Sequence, residues 1–151
     1  MTDSPSNKGN GRRRSLVGLI TAVFGFFIFV LGTSPELFGL DRSPVIGFVQ
    51  ITVFLLGLAL ICIGGYLSLI SMWRGKPRTI SADIGLRLVA TGYVIAVASG
   101  LADVFGFGSQ PWPLIPRFGR WQSRGVLIGE IIIAVGFLLM MPPRSKKITR
   151  E

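Results

Sequence analysis

From Val45 to Met72 the chain reads VIGFVQITVFLLGLALICIGGYLSLISM, without one charged residue. A helix over this stretch would be about 42 Å long at 1.5 Å per residue, against a bilayer core of about 30 Å. It crosses with tilt or with one end among the headgroups. Three further runs repeat the pattern. Leu16 to Leu31, LVGLITAVFGFFIFVL, approaches a full span once Gly32 and Thr33 are added. A third run extends from about Ile84 to Phe105, with Ser81 or Asp83 expected as its capping residue. The fourth, Gly125 to Met141, is stopped by Pro142 and Pro143. Between the runs, TSPELFGLDRSP, WRGKPR and GFGSQPWPLIPRFGRWQSR carry prolines, turn residues and the interfacial aromatics Trp73, Trp112 and Trp121.

The pattern predicts an all-α membrane protein, with four transmembrane helices in an antiparallel bundle and both termini cytoplasmic. The expected helices are about 15–33, 45–73, 83–105 and 124–141, together a membrane domain over 15–142. A polar, basic tail at 1–14 is expected to be disordered and cytoplasmic, and 143–151 is a second basic cytoplasmic tail. The first helix also resembles a signal peptide, because Arg13, Arg14, Ser15 and Leu16 partly imitate a twin-arginine signal. It lacks a clean A-x-A site and no exported domain follows, so a retained anchor is expected.

Orientation rests on the basic residues. Lys8, Arg12, Arg13, Arg14, Arg74, Lys76, Arg78, Arg144, Lys146, Lys147 and Arg150 fall on one side of the four-span arrangement, and Arg42, Arg117, Arg120 and Arg124 on the other. This excess sets the richer side in the cytoplasm. The expected location is the plasma membrane of a prokaryote.

Composition agrees and narrows the chemistry. Half the residues are hydrophobic, 15% are charged and the mean hydropathy is +0.61, too little polar surface for a soluble chain of 151 residues. The net charge of +9 would suggest nucleic acid in a soluble protein, but these cations lie mainly at helix ends, where orientation and anionic lipid account for them. No nucleic-acid partner is expected. With no histidine and only Cys62, the chain has no internal disulfide and no usual ligand set for zinc or haem, and no cofactor is expected.

Small residues recur at packing intervals. Gly57, Gly64, Ser68 and Ser71 share a face of the second helix, Gly85, Gly92, Ala96 and Ser99 a face of the third, and Gly125, Gly129 and Gly136 a face of the fourth. Such faces let membrane helices approach closely where lipid supplies no hydrophobic drive.

Ionisable residues within spans are costly and give the functional leads. Arg87 follows Asp83 by four positions, the spacing of a same-face pair near the cytoplasmic boundary. Glu130 lies about 8 Å below the outer boundary by helical rise, with no basic residue three or four positions away on its own helix. Its charge has to be met from another helix or removed by a proton. Gln50 and Ser99 reach similar depths, and Asp103 lies above them, so Glu130, Gln50, Ser99 and Asp103 are predicted to form a polar cluster. On the outer side Arg117, Arg120 and Arg124 are spaced to share a helix face with Trp121. They are candidates for lipid phosphate, an acidic partner or the acids Glu36, Asp41 and Asp103.

No catalytic constellation is visible, and an enzyme is not expected. The first functional expectation is an accessory or assembly subunit, packing against another membrane protein or a second copy of itself within the lipid bilayer. The alternative is a small oligomeric proton- or cation-coupled transporter using Glu130.

Overall fold

A computed structural model describes residues 6–34, 39, 48–73, 77–107 and 119–142. The described residues form four helices: α1 (Ser6–Thr33), α2 (Phe48–Met72), α3 (Ile80–Gly100) and α4 (Arg120–Met140). Each holds a span long and apolar enough to cross a membrane: Gly11–Thr33, Phe48–Met72, Ile80–Gly100 and Arg120–Met140. At 21 to 25 residues these spans run about 32 to 38 Å, which matches the hydrocarbon core with room for tilt. A helix satisfies its own backbone hydrogen bonds, so long apolar runs with no water to bond to adopt this form.

The helix ends depart from the expected ones. α1 begins at Ser6, ahead of the expected start near residue 15 and through part of the stretch expected to be disordered. Residues 1–5 of that tail, and 143–151 of the other, lie outside the described residues. α2 begins at Phe48, and Pro44 to Gly47 also lie outside them. α3 begins at Ile80, and its cap is Thr79 rather than Ser81 or Asp83. Thr79 is extended (φ −75°, ψ 157°), and its hydroxyl accepts from the Ala82 N–H at 3.3 Å. The chain after Gly100 stays wound in tighter turns to Gly106. There Phe107 N–H bonds to Ala102 O at 2.9 Å and Gly106 N–H to Asp103 O at 3.3 Å. This closure needs a left-handed residue, and Gly106 supplies it at φ +78°. α4 begins at Arg120, where the Gln122 side chain accepts from the Gly119 N–H, the half of a capping box that a glycine permits.

The helices associate in two tight pairs, α1 with α2 and α3 with α4, through backbone contacts at glycines. A methyl added at Gly18 would sit 2.8 Å from Gly64 O, and one at Gly25 would sit 2.8 Å from Ile61 N and 2.9 Å from Gly57 O. In the second pair, methyls at Gly92 and Gly129 would each sit 2.6 Å from the other's carbonyl oxygen, and one at Gly136 would sit 2.7 Å from Gly85 O. Residue numbers fall along one helix as they rise along its partner, so each pair runs in opposite directions. Glycines at intervals of seven (18, 25, 32; 57, 64; 85, 92; 129, 136) keep these contacts on one seam per helix.

α2 joins the two pairs. At one end Ile51 and Leu55 lie against Gly100 of α3, in the middle the Phe137 ring of α4 covers Gly65, and at the other end buried Trp73 donates its indole N–H to Met140 O at 3.1 Å. Met140 O is one of the carbonyls that the end of α4 leaves without a partner inside the helix, so the bond satisfies two buried groups. The buried core combines Ile51, Phe54, Leu55 and Leu58 with Val89, Ala96, Val126, Ile133 and Met140. Large apolar side chains elsewhere point outward, among them Phe24, Phe26 and Phe27 on α1, Val94 on α3 and Ile131 and Leu138 on α4. A water-facing surface would not carry so many, whereas a lipid-facing one requires them.

Candidate functional site

Residues on one turn of α4 face two ways. Successive positions are about 100° apart, so Gly125 and Gly129 meet α3 while Val126 and Glu130, one position on, turn toward α2. There a half-open cavity of about 160 Å³ lies between the carboxyl end of α1, the first two turns of α2 and the second and third turns of α4. It is lined by Gly32, Thr33, Gln50, Ile51, Phe54, Val126 and Glu130. Glu130 and Gln50 are both half-buried. Thr33 donates its hydroxyl proton to Phe29 O at 3.1 Å, with Val30 O at 3.3 Å. The Phe54 ring is held in place by Phe29, with centroids 5.3 Å apart at 56°. The lining is therefore mostly apolar and includes the half-buried side chains of Glu130 and Gln50 and the exposed Thr33.

Of the four residues expected to cluster, Glu130 and Gln50 share this cavity and the other two are not among its lining. Ser99 packs over Gly125, where an added methyl would meet the Ser99 Cβ at 2.7 Å, about 8 Å along α4 from Glu130 by helical rise. Asp103 sits in the turns beyond α3, and its Oδ1 is buried without a hydrogen-bond partner among the described residues. Equal depth does not imply the same face, and Ser99 belongs to the α3–α4 seam. The cavity-lining Gly32, Thr33 and Phe54 had no sequence signal beyond their place near a helix end. Gln122 of α4 is 7% exposed, and its Nε2 is also buried and unpartnered among the described residues.

The expected pair of Asp83 with Arg87 is replaced by Asp83 with Arg78, whose Nε lies 3.8 Å from Asp83 Oδ1. Helical side chains lean toward the amino terminus, so Asp83 in the first turn reaches back rather than forward. Arg87 is exposed on α3. At the opposite end Arg120 and Arg124 are exposed, and Trp121 is 81% exposed with the Arg124 guanidinium carbon 5.7 Å from its ring centre, within cation–π range. Arg117, Glu36 and Asp41 lie outside the described residues. Among the described residues no group of His, Cys, Asp and Glu could hold a metal ion. A larger depression of about 350 Å³ on α1, lined by Leu19, Ile20, Val23, Phe24 and Phe27, has no polar side chain and forms part of the lipid-facing surface.

No protein-family model, no curated protein and no solved structure matches the chain.

Proposed function

We propose that this four-span membrane protein binds a proton or cation at Glu130 and moves it across the membrane, working as a small cation-coupled transporter. The observation that supports the reading is that half-buried Glu130 lines one cavity together with Gln50. An intramembrane acid is costly, and one beside a polar group in a cavity marks an ion site more strongly than one sealed in a seam. The arrangement around it suits movement: glycine contacts lock each helix pair internally, whereas the pairs meet through α2 alone among the described residues. A binding site at the junction of two rigid halves is the geometry from which alternating access arises. In this reading the helices form an antiparallel bundle in the plasma membrane with both termini cytoplasmic, following the basic-residue excess. The cavity then lies in the outer half.

The test is reconstitution into proteoliposomes with an imposed potential and an internal pH dye. Wild-type protein is expected to carry a proton or cation flux that Glu130→Gln abolishes, with the variant's helix content and size-exclusion profile unchanged. Equal flux from both proteins overturns the reading.

A second reading, an accessory subunit that docks on another membrane protein or on a second copy, is supported by Arg120, Trp121 and Arg124, which are exposed together at one end. Affinity capture in mild detergent tests it: a partner should be recovered with wild-type protein and lost when both arginines are replaced by alanine. Recovery of the well-folded protein alone contradicts it.

A further inference from the structure

The cavity's shape and chemistry go further than an unspecified cation. We infer that it binds a primary alkylammonium group, with the nitrogen held by Glu130, Gln50 and Thr33 and the carbon chain against Ile51, Phe54 and Val126. This rests on the proposed role of Glu130 and names the ligand class for it.

Three features select this ligand. A primary ammonium has three N–H donors and no acceptor. The lining offers three acceptor groups: the Glu130 carboxylate, the Gln50 amide oxygen and the Thr33 hydroxyl. The last is fixed as an acceptor, because its own proton goes to Phe29 O. A bare calcium ion needs about six or more oxygens around it. Among the described residues the lining side chains supply four (two from Glu130, one each from Gln50 and Thr33), and the other lining side chains, Ile51, Phe54 and Val126, are hydrocarbon. Size gives the third feature. About 160 Å³, open on one side, leaves room for a short alkyl chain beside the nitrogen, along Ile51, Phe54 and Val126. An ethanolamine headgroup of a lipid carries the same ammonium and can enter from the bilayer side; a free amine would enter from water.

The test is isothermal titration of the full chain in nanodiscs of phosphatidylcholine, with n-butylammonium, tetramethylammonium, sodium and n-butanol as probes. Saturable binding of n-butylammonium is expected. It should fall more than tenfold in Glu130→Gln and about tenfold in Gln50→Leu and in Thr33→Val, the size expected for losing a hydrogen bond to a charged group. Tetramethylammonium has the same charge and non-hydrogen atom count but no N–H, and should bind at least tenfold more weakly; n-butanol should not bind.

Equal binding of tetramethylammonium, or unchanged binding in both Gln50→Leu and Thr33→Val, overturns the inference. Glu130-dependent binding of sodium but not n-butylammonium overturns it and leaves the transport reading standing. The absence of Glu130-dependent binding of any of these cations overturns the inference and confines the transport reading to a proton, which the proteoliposome flux tests. Repeating the titration in nanodiscs containing phosphatidylethanolamine identifies the source. Weaker apparent n-butylammonium affinity there supports a headgroup as the natural occupant, and unchanged affinity supports a free amine.

Discussion

Replacing Gly129 with alanine places a methyl 2.6 Å from Gly92 O, 2.8 Å from Ala96 N and 3.0 Å from Ala96 Cβ. Two of these neighbours are backbone atoms, which cannot rotate away. Ordinary contact begins at 3.4 Å, so α3 and α4 have to part locally by about 0.8 Å. A gap of that size forfeits about a quarter to a half of each dispersion contact, ~0.1–0.2 kcal/mol apiece, over tens of atom pairs. The expected loss is about 1–3 kcal/mol, the usual range for overpacking. Gly92→Ala should cost a similar amount, since its methyl would sit 2.6 Å from Gly129 O. The double variant should cost less than the sum by at least ~0.5 kcal/mol, because helices already parted by one methyl admit the second. Gly11, with nothing within 4 Å, is the internal control: alanine there should be neutral or stabilising by up to ~1 kcal/mol through helix propensity. Reversible unfolding in mixed micelles, followed by far-ultraviolet circular dichroism, measures all four. A Gly129→Ala protein within about 0.3 kcal/mol of wild type, or a strictly additive double variant, would refute the interlocked seam.

Three further outcomes follow from single contacts. Trp73→Phe removes the buried bond to Met140 O and should lower unfolding stability by about 1–3 kcal/mol, the cost of leaving that carbonyl unsatisfied; no change in the same unfolding assay would contradict the role given to Trp73. Thr79→Ala should cost about 1 kcal/mol through loss of the α3 cap while Ser81→Ala costs little, a contrast that the same titrations can resolve. Asp83→Asn should change stability by no more than ~1 kcal/mol and become indistinguishable from wild type at high salt, because both members of its pair with Arg78 are well exposed.

The four spans were legible because bilayer thickness imposes one demand, a long and predominantly apolar run, that Val45 to Met72 and its three counterparts meet. Helix ends were less so. Thr79, Ser81 and Asp83 all have the chemistry of a cap, and only the backbone turn at Thr79 decides among them. The glycine faces of α2, α3 and α4 were readable, and α1 carries a fourth outside those expected, at Gly18, Gly25 and Gly32, which recur at every seventh position and meet α2. Depth along a helix can be counted, and Gln50 and Glu130, expected at similar depths, line one cavity. Rotation about the axis depends on which neighbour a helix packs against, and that separated Ser99 from them. Thr33 entered the cavity because Gly32 lets α1 approach Phe54 closely, a tertiary contact that no local pattern announces.

The central claim is that Glu130 occupies a cation site within the membrane. The most direct measurement is the rate at which a hydrophobic carbodiimide labels Glu130 of the wild-type protein in native membrane vesicles, read by mass spectrometry of the α4 peptide with and without n-butylammonium or sodium. Glu130 should be labelled, and a saturating cation should slow the labelling severalfold. Labelling at one rate whatever cation is present would contradict it.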